Sequence, residues 1–191
     1  VDSSVCPLRA FRDGPDHFLA PADPYWAEDL SGRRLLEAPI TQIPLSPALA
    51  RLWYGLARRK AGLLDSFHFW GALSPNPAWH SPRVMRLASR LHARRGGKVL
   101  SLFWHSSEML PGASPNVPDQ AAADALLQKI YGYLRWLKEN FKVRGVTAAQ
   151  LHAEAGTLDF PQRPAGRGDW YCPVWSLCCW TAWARPRPGA A

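Results

Sequence analysis

The stretch Gly96-Gly97-Lys98-Val99-Leu100-Ser101-Leu102-Phe103-Trp104-His105 decides the fold class. From Lys98 to Trp104 it is nearly all apolar, which reads as a strand buried on both faces, as in a parallel sheet. The two glycines mark where a helix turns into that strand. Before them, Ser81 is a good N-cap, Pro82 suits the first helical position and Gly96 suits the C-cap. The spacing predicts a helix from Pro82 to Arg95, with Val84, Leu87, Ala88 and Leu91 as its buried stripe. After the strand, Pro118 and Asp119 start a longer helix that runs to Phe141. Leu126, Leu127, Ile130, Leu134, Leu137 and Phe141 recur on one face, while Gln128, Lys129, Arg135, Lys138 and Glu139 take the other. Strand–helix alternation gives an α/β class, compatible with a barrel or an open sheet.

Working outward, a third helix is predicted from Pro47 to Ala61. Its buried residues would be Leu49, Leu52, Trp53 and Leu56. Arg58, Arg59 and Lys60 would complement the dipole in its last turn. Leu35 to Ile40 is a second strand candidate whose end Pro39 weakens, and Val146-Thr147 a short third. From Thr157 onward the local signals stop agreeing. Trp170, Trp175, Trp180 and Trp183 crowd together with Cys172, Cys178 and Cys179, and Arg185-Pro186-Arg187-Pro188 follows. No period of 2 or 3.6 runs through this stretch. The expected organisation is one domain over 1–155 and an irregular, dispensable tail over 156–191.

The composition allows a real core: 47% of the 191 residues are hydrophobic and 20% charged. Proline, at 18, is nearly twice the usual share of roughly 5%, which favours a loop-rich domain over a helical bundle. No apolar run is long enough for a membrane span. No charged-then-apolar leader opens the chain, and it starts at Val1 rather than Met, so a processed chain or a fragment is expected. The net charge of +8 comes from short basic sets, Arg33-Arg34, Arg58-Arg59-Lys60 and Arg94-Arg95 among them. None sits in a recognisable nucleic-acid-binding motif, so no nucleic-acid partner is expected. The cysteine spacing suggests neither a disulfide framework nor a zinc ribbon.

His105 follows directly on the predicted strand. Sites in α/β folds form at the C-terminal ends of strands, where a histidine can serve as acid, base or ligand. Beyond it come Ser106, Ser107, Glu108, Pro111-Gly112 and Ser114-Pro115, then the long helix. This order resembles the last motif of the polysaccharide deacetylases, the carbohydrate esterases that include chitin and peptidoglycan N-deacetylases. Val1-Asp2-Ser3-Ser4-Val5 with Pro7 is similar to that family's Tyr-Asp-Ser-Ser strand. Glu37-Ala38-Pro39-Ile40 is similar to its Glu-x-Pro strand.

The resemblance implies the C-terminal half of a distorted (β/α)7-type barrel and the hydrolysis of N-acetyl groups on a polysaccharide. In the family a zinc-like divalent metal, held by Asp-His-His, polarises the carbonyl. The last-motif histidine then protonates the leaving nitrogen. His105 matches that position, and Asp2 is the expected carboxylate beside it. The alternative for Asp2 is a residue bonding its own backbone. Trp104 is the expected sugar-stacking residue; Tyr25-Trp26 and Trp79, in proline-rich loops, are weaker candidates. The family's metal motifs have no match here. His68 sits among aromatics, His80 beside the Ser81 cap, and His92 on a helix face that reads as solvated. The chain is therefore expected to hold no metal and to be inactive alone. The competing class is a non-catalytic carbohydrate- or polyanion-binding module.

Overall fold

The computed structural model describes residues 1–28 and 31–163. The expectations for the tryptophans and cysteines of the tail lie outside those residues. In chain order the elements are β1 (Tyr25–Glu28), β2 (Arg34–Glu37), β3 (Ile43–Pro44), α1 (Pro47–Ala57), α2 (Ala61–Asp65), α3 (Phe67–Trp70), β4 (Ala72–Leu73), α4 (Pro82–Arg94), α5 (Gln120–Asn140), α6 (Ala148–Glu154) and β5 (Gln162–Arg163), with a 3-10 turn at Ser106–Met109. The class is mixed α/β, and neither sheet closes into a barrel among the described residues. The chain forms two compact units. The first holds Val1–Leu73, Val99–Ser101 and the described part from Gly145 on; the second holds Ser74–Lys98 and Leu102–Arg144.

In the first unit β1 is central in a three-stranded sheet ordered β2-β1-β5. It pairs antiparallel with β2, Tyr25 opposite Glu37, and parallel with β5. Tyr25 and Trp26 are thus strand residues and not loop residues, and Tyr25 is buried. β2 stops at Glu37, short of Pro39, which has no N–H for a ladder. One cluster joins Leu36 to Leu151 and Ala155 of α6 and to Phe160. Phe160 and β5 belong to the stretch that reads as tail, so that stretch begins inside the fold. Thr147 is the N-cap of α6, accepting from Gln150 N, and makes no strand with Val146. A second cluster packs Leu8, Phe18, Ala50, Ala57, Leu64 and Phe67. The Asp65 carboxylate locks it to the N-terminal segment through Arg9, at 2.6 and 3.2 Å, and the Ala10 N–H.

Two expectations for α1 need correction. The helix ends at Ala57, so Arg58 is its C-cap and Arg59 and Lys60 lie in the connection to α2. Its buried residues are Ala50 and Ala57; Leu49, Leu52 and Leu56 face solvent. The small side chains let the helix approach the Phe18–Phe67 cluster closely, and the leucines are left on another face.

The predicted strand from Lys98 to Trp104 joins no ladder among the described residues. Side chains take the place of neighbouring strands. Asp23 Oδ1 accepts from Val99 N at 2.8 Å, and the Thr41 hydroxyl accepts from Ser101 N at 2.8 Å while donating to Val99 O at 3.4 Å. These bonds give partners to three of the backbone groups in the stretch.

The second unit is built on α4 and α5. Ser81 and Asp119 cap them as expected, and Gly96, at φ 84°, leaves α4 in the left-handed region that favours glycine. The buried stripe of α4 is Met85, Ala88, Ser89 and His92, about one residue round from the predicted one. Ser89 is tolerated there because its hydroxyl meets Met85 O at 2.8 Å and the Tyr133 hydroxyl at 2.6 Å. His92 is buried and not solvated, because the chain folds back after the cap and sets Gly97 on the imidazole, where a Cβ would collide with the ring. On α5, Ala123, Leu126 and Ile130 pack with Val117.

Thr41 is fully buried, so Thr41→Val keeps the volume and removes the hydroxyl's bonds to Ser101 N and Val99 O. A loss of about 1–3 kcal/mol is expected in chemical denaturation, with Thr41→Ser much closer to the parent. Equal losses for the two variants would show that the hydroxyl does not hold the stretch.

Candidate functional site

His105, itself in an extended conformation, stands where the chain enters the 3-10 turn Ser106–Met109. Two reciprocal bonds make that turn: His105 O accepts from Glu108 N at 3.0 Å, and Glu108 Oε2 accepts from His105 N at 3.0 Å. Glu108 is buried, 3% exposed, with Oε1 3.5 Å from Asn116 Nδ2. The His105 side chain is 65% exposed, its Nδ1 3.9 Å from Glu108 Oε2. A ring open to solvent thus has a buried carboxylate behind it.

An aromatic row continues from the histidine. The Phe103 ring lies 6.3 Å from His105 and 5.8 Å from Trp79, edge to face in both cases. Trp79 is half exposed and Trp104 is exposed. Trp79 is set by an Asx turn in which Asn76 Oδ1 accepts from Ala78 N at 2.8 Å and Trp79 N at 3.1 Å. Lys129 of α5 fixes the same loop by donating to Pro77 O at 2.7 Å. Burial, with the Lys129 charge, pushes the neighbouring His80 below its ordinary value, so it is neutral near pH 7.

Asp2 lies in the first unit, whereas His105 and Trp104 lie in the second. The Asp2 carboxylate accepts from Ser3 N at 2.8 Å and from the Ser4 hydroxyl at 2.9 Å. Its backbone forms a parallel bridge to Glu37, with Asp2 N to Leu36 O at 2.9 Å and Ala38 N to Asp2 O at 2.7 Å. The two sequence motifs containing Asp2 and Glu37 are therefore neighbours. Burial, reinforced by the Asp2 carboxylate, raises the Glu37 carboxyl above the usual range, although Val5 N donates to its Oε1 at 3.2 Å. The carboxylate beside His105 is Glu108, whose partnership the sequence reading missed. The available signal was the three-residue spacing from His105, that of a capping acid.

His68 Nδ1 sits 2.6 Å from Asp65 O, a packing role. The Cys6 thiol donates to Gln42 Oε1 at 3.4 Å, and burial pushes it up, so it is not a ready nucleophile. Among the described residues no three His, Cys, Asp or Glu side chains converge to hold a metal ion. The residues described do not fit the zinc site that the resemblance implies. No family model, curated protein or solved structure matches this chain.

Glu37 offers a pH test. Its folded value is raised, so the neutral carboxyl favours the fold, and that contribution is complete below the unfolded value and lost as pH rises through the folded one. Glu37→Gln should leave the Tm unchanged in acid and raise it at pH 7. A variant less stable than the parent at pH 7 would contradict this account of Glu37.

Proposed function

We propose that this chain is the acid-bearing, sugar-facing part of a metal-dependent polysaccharide N-deacetylase, built as part of a distorted (β/α)7-type barrel. The observation that carries the reading is the exposed His105 imidazole, backed by buried Glu108 and continued by Phe103 and Trp79. The parallel Asp2–Glu37 bridge supports the barrel, since it sets two of the motif-bearing segments side by side in the same direction.

Hydrolysis of an N-acetyl group adds water to the amide carbon and breaks the C–N bond. The nitrogen must leave as an amine, so it needs a proton. His105, protonated at the start, gives its ring proton to that nitrogen and is left neutral. The water gives its hydroxyl to the acyl carbon and its proton to the aspartate base that the resemblance implies, so acetic acid and an amino sugar leave with His105 neutral and that base protonated. The Glu108 side chain stands behind the donating ring, with Oε2 3.9 Å from His105 Nδ1. Trp79 and Trp104 offer ring faces to the C–H faces of a sugar.

The chain by itself is expected to hydrolyse no N-acetylated oligosaccharide and to keep no stoichiometric zinc after dialysis. One tightly held zinc per chain, measured by atomic emission, would overturn that.

In a catalytically complete form, His105→Asn should lower kcat on the amide by about 10²–10⁴-fold and spare an activated ester, whose leaving group needs no proton. Equal losses on both would reject the acid role. Binding of N-acetylated oligosaccharides that needs Trp79 and Trp104, with no effect of His105→Asn on turnover, would favour the non-catalytic binding module instead.

A further inference from the structure

The helix α1 turns its apolar stripe to water. Leu52 is 60% and Leu56 74% exposed, with Leu49 on the same face, one turn before Trp53. Trp53 extends the patch, since its indole N–H donates to Leu63 O at 3.2 Å and its ring meets Trp70 edge to face at 5.2 Å. Leu63 and Trp70 are exposed as well. A joined apolar surface of this kind marks a docking face.

The charges at its edge are of one sign. Arg58, Arg59 and Lys60 follow directly on the stripe and are all exposed. From Pro47 to Leu64 the sequence holds no Asp or Glu. Asp65, which closes α2, is paired with Arg9 at 2.6 Å.

We propose that this face docks on an anionic lipid surface, with α1 lying in the interface plane. The leucines and tryptophans enter the boundary between headgroups and acyl chains, and Arg58, Arg59 and Lys60 meet the lipid phosphates. Leucine and tryptophan beside a purely cationic edge suit that boundary, and charge complementarity selects anionic over neutral lipid. None of the described helices is long and apolar enough to span a membrane, so the attachment is peripheral.

Co-sedimentation of the full chain with vesicles tests this. The chain should bind phosphatidylcholine–phosphatidylglycerol vesicles, bind pure phosphatidylcholine far more weakly, and lose the difference in high salt. The triple variant Arg58→Glu, Arg59→Glu, Lys60→Glu should bind the anionic vesicles about 100-fold less. Leu52→Ser with Leu56→Ser should weaken binding roughly tenfold for each leucine. These side chains are exposed, so the thermal melts should match the parent. Equal binding to both vesicle types, or none, would overturn the proposal. So would a dimer in sedimentation equilibrium that the leucine pair abolishes while vesicle binding stays absent; the occupant would then be a second copy.

Discussion

The hydroxyl of Thr41 holds the backbone of Val99 and Ser101, shortly before His105 in the sequence. In a parallel ladder, a residue opposite Leu100 would donate to Val99 O and accept from Ser101 N. The Thr41 side chain makes that same pair of bonds from a loop. Asp23 takes the next donor, Val99 N. Three backbone groups of Val99 and Ser101 are fixed this way. Glu108 then draws His105 N into a turn.

This substitution explains what the sequence could and could not convey. The apolar run from Val99 to Phe103 announces a strand buried on both faces, whereas its residues are half-buried and join no ladder among the described residues. It does not announce who supplies the hydrogen bonds, because Asp23 and Thr41 are 76 and 58 residues from Val99. The helices α4 and α5 were legible because their ends are written locally, in Ser81, Gly96 and Asp119. Their buried faces were less so. His92 reads as a surface residue, and its burial under Gly97 follows from the chain turning back after the cap; buried Ser89 is met by Met85 O and the Tyr133 hydroxyl. The strand β1 was hidden for a related reason: four residues after Pro24 carry too short a pattern to stand out.

The same limit applies to α1. Periodicity identifies an apolar stripe but not the face that packs, and here Ala50 and Ala57 face the core while the leucines do not. At the site, His105 was legible from its position after an apolar run. Glu108 was visible only as the acidic position of a motif. Its role follows from burial, which turns a surface-looking acid into the fixed partner of a histidine.

That pair is weak as it stands. At 3.9 Å, with the imidazole open to water, solvent screens the attraction and the contact adds little to stability. A sugar laid across Trp79, Phe103 and His105 would remove that water. The same two groups at the same distance would then face each other in a lower dielectric, where charges interact more strongly. Under the proposed reading, the aromatic row and the histidine are therefore one device: a sugar stacked on the row would exclude the water that now separates His105 from Glu108.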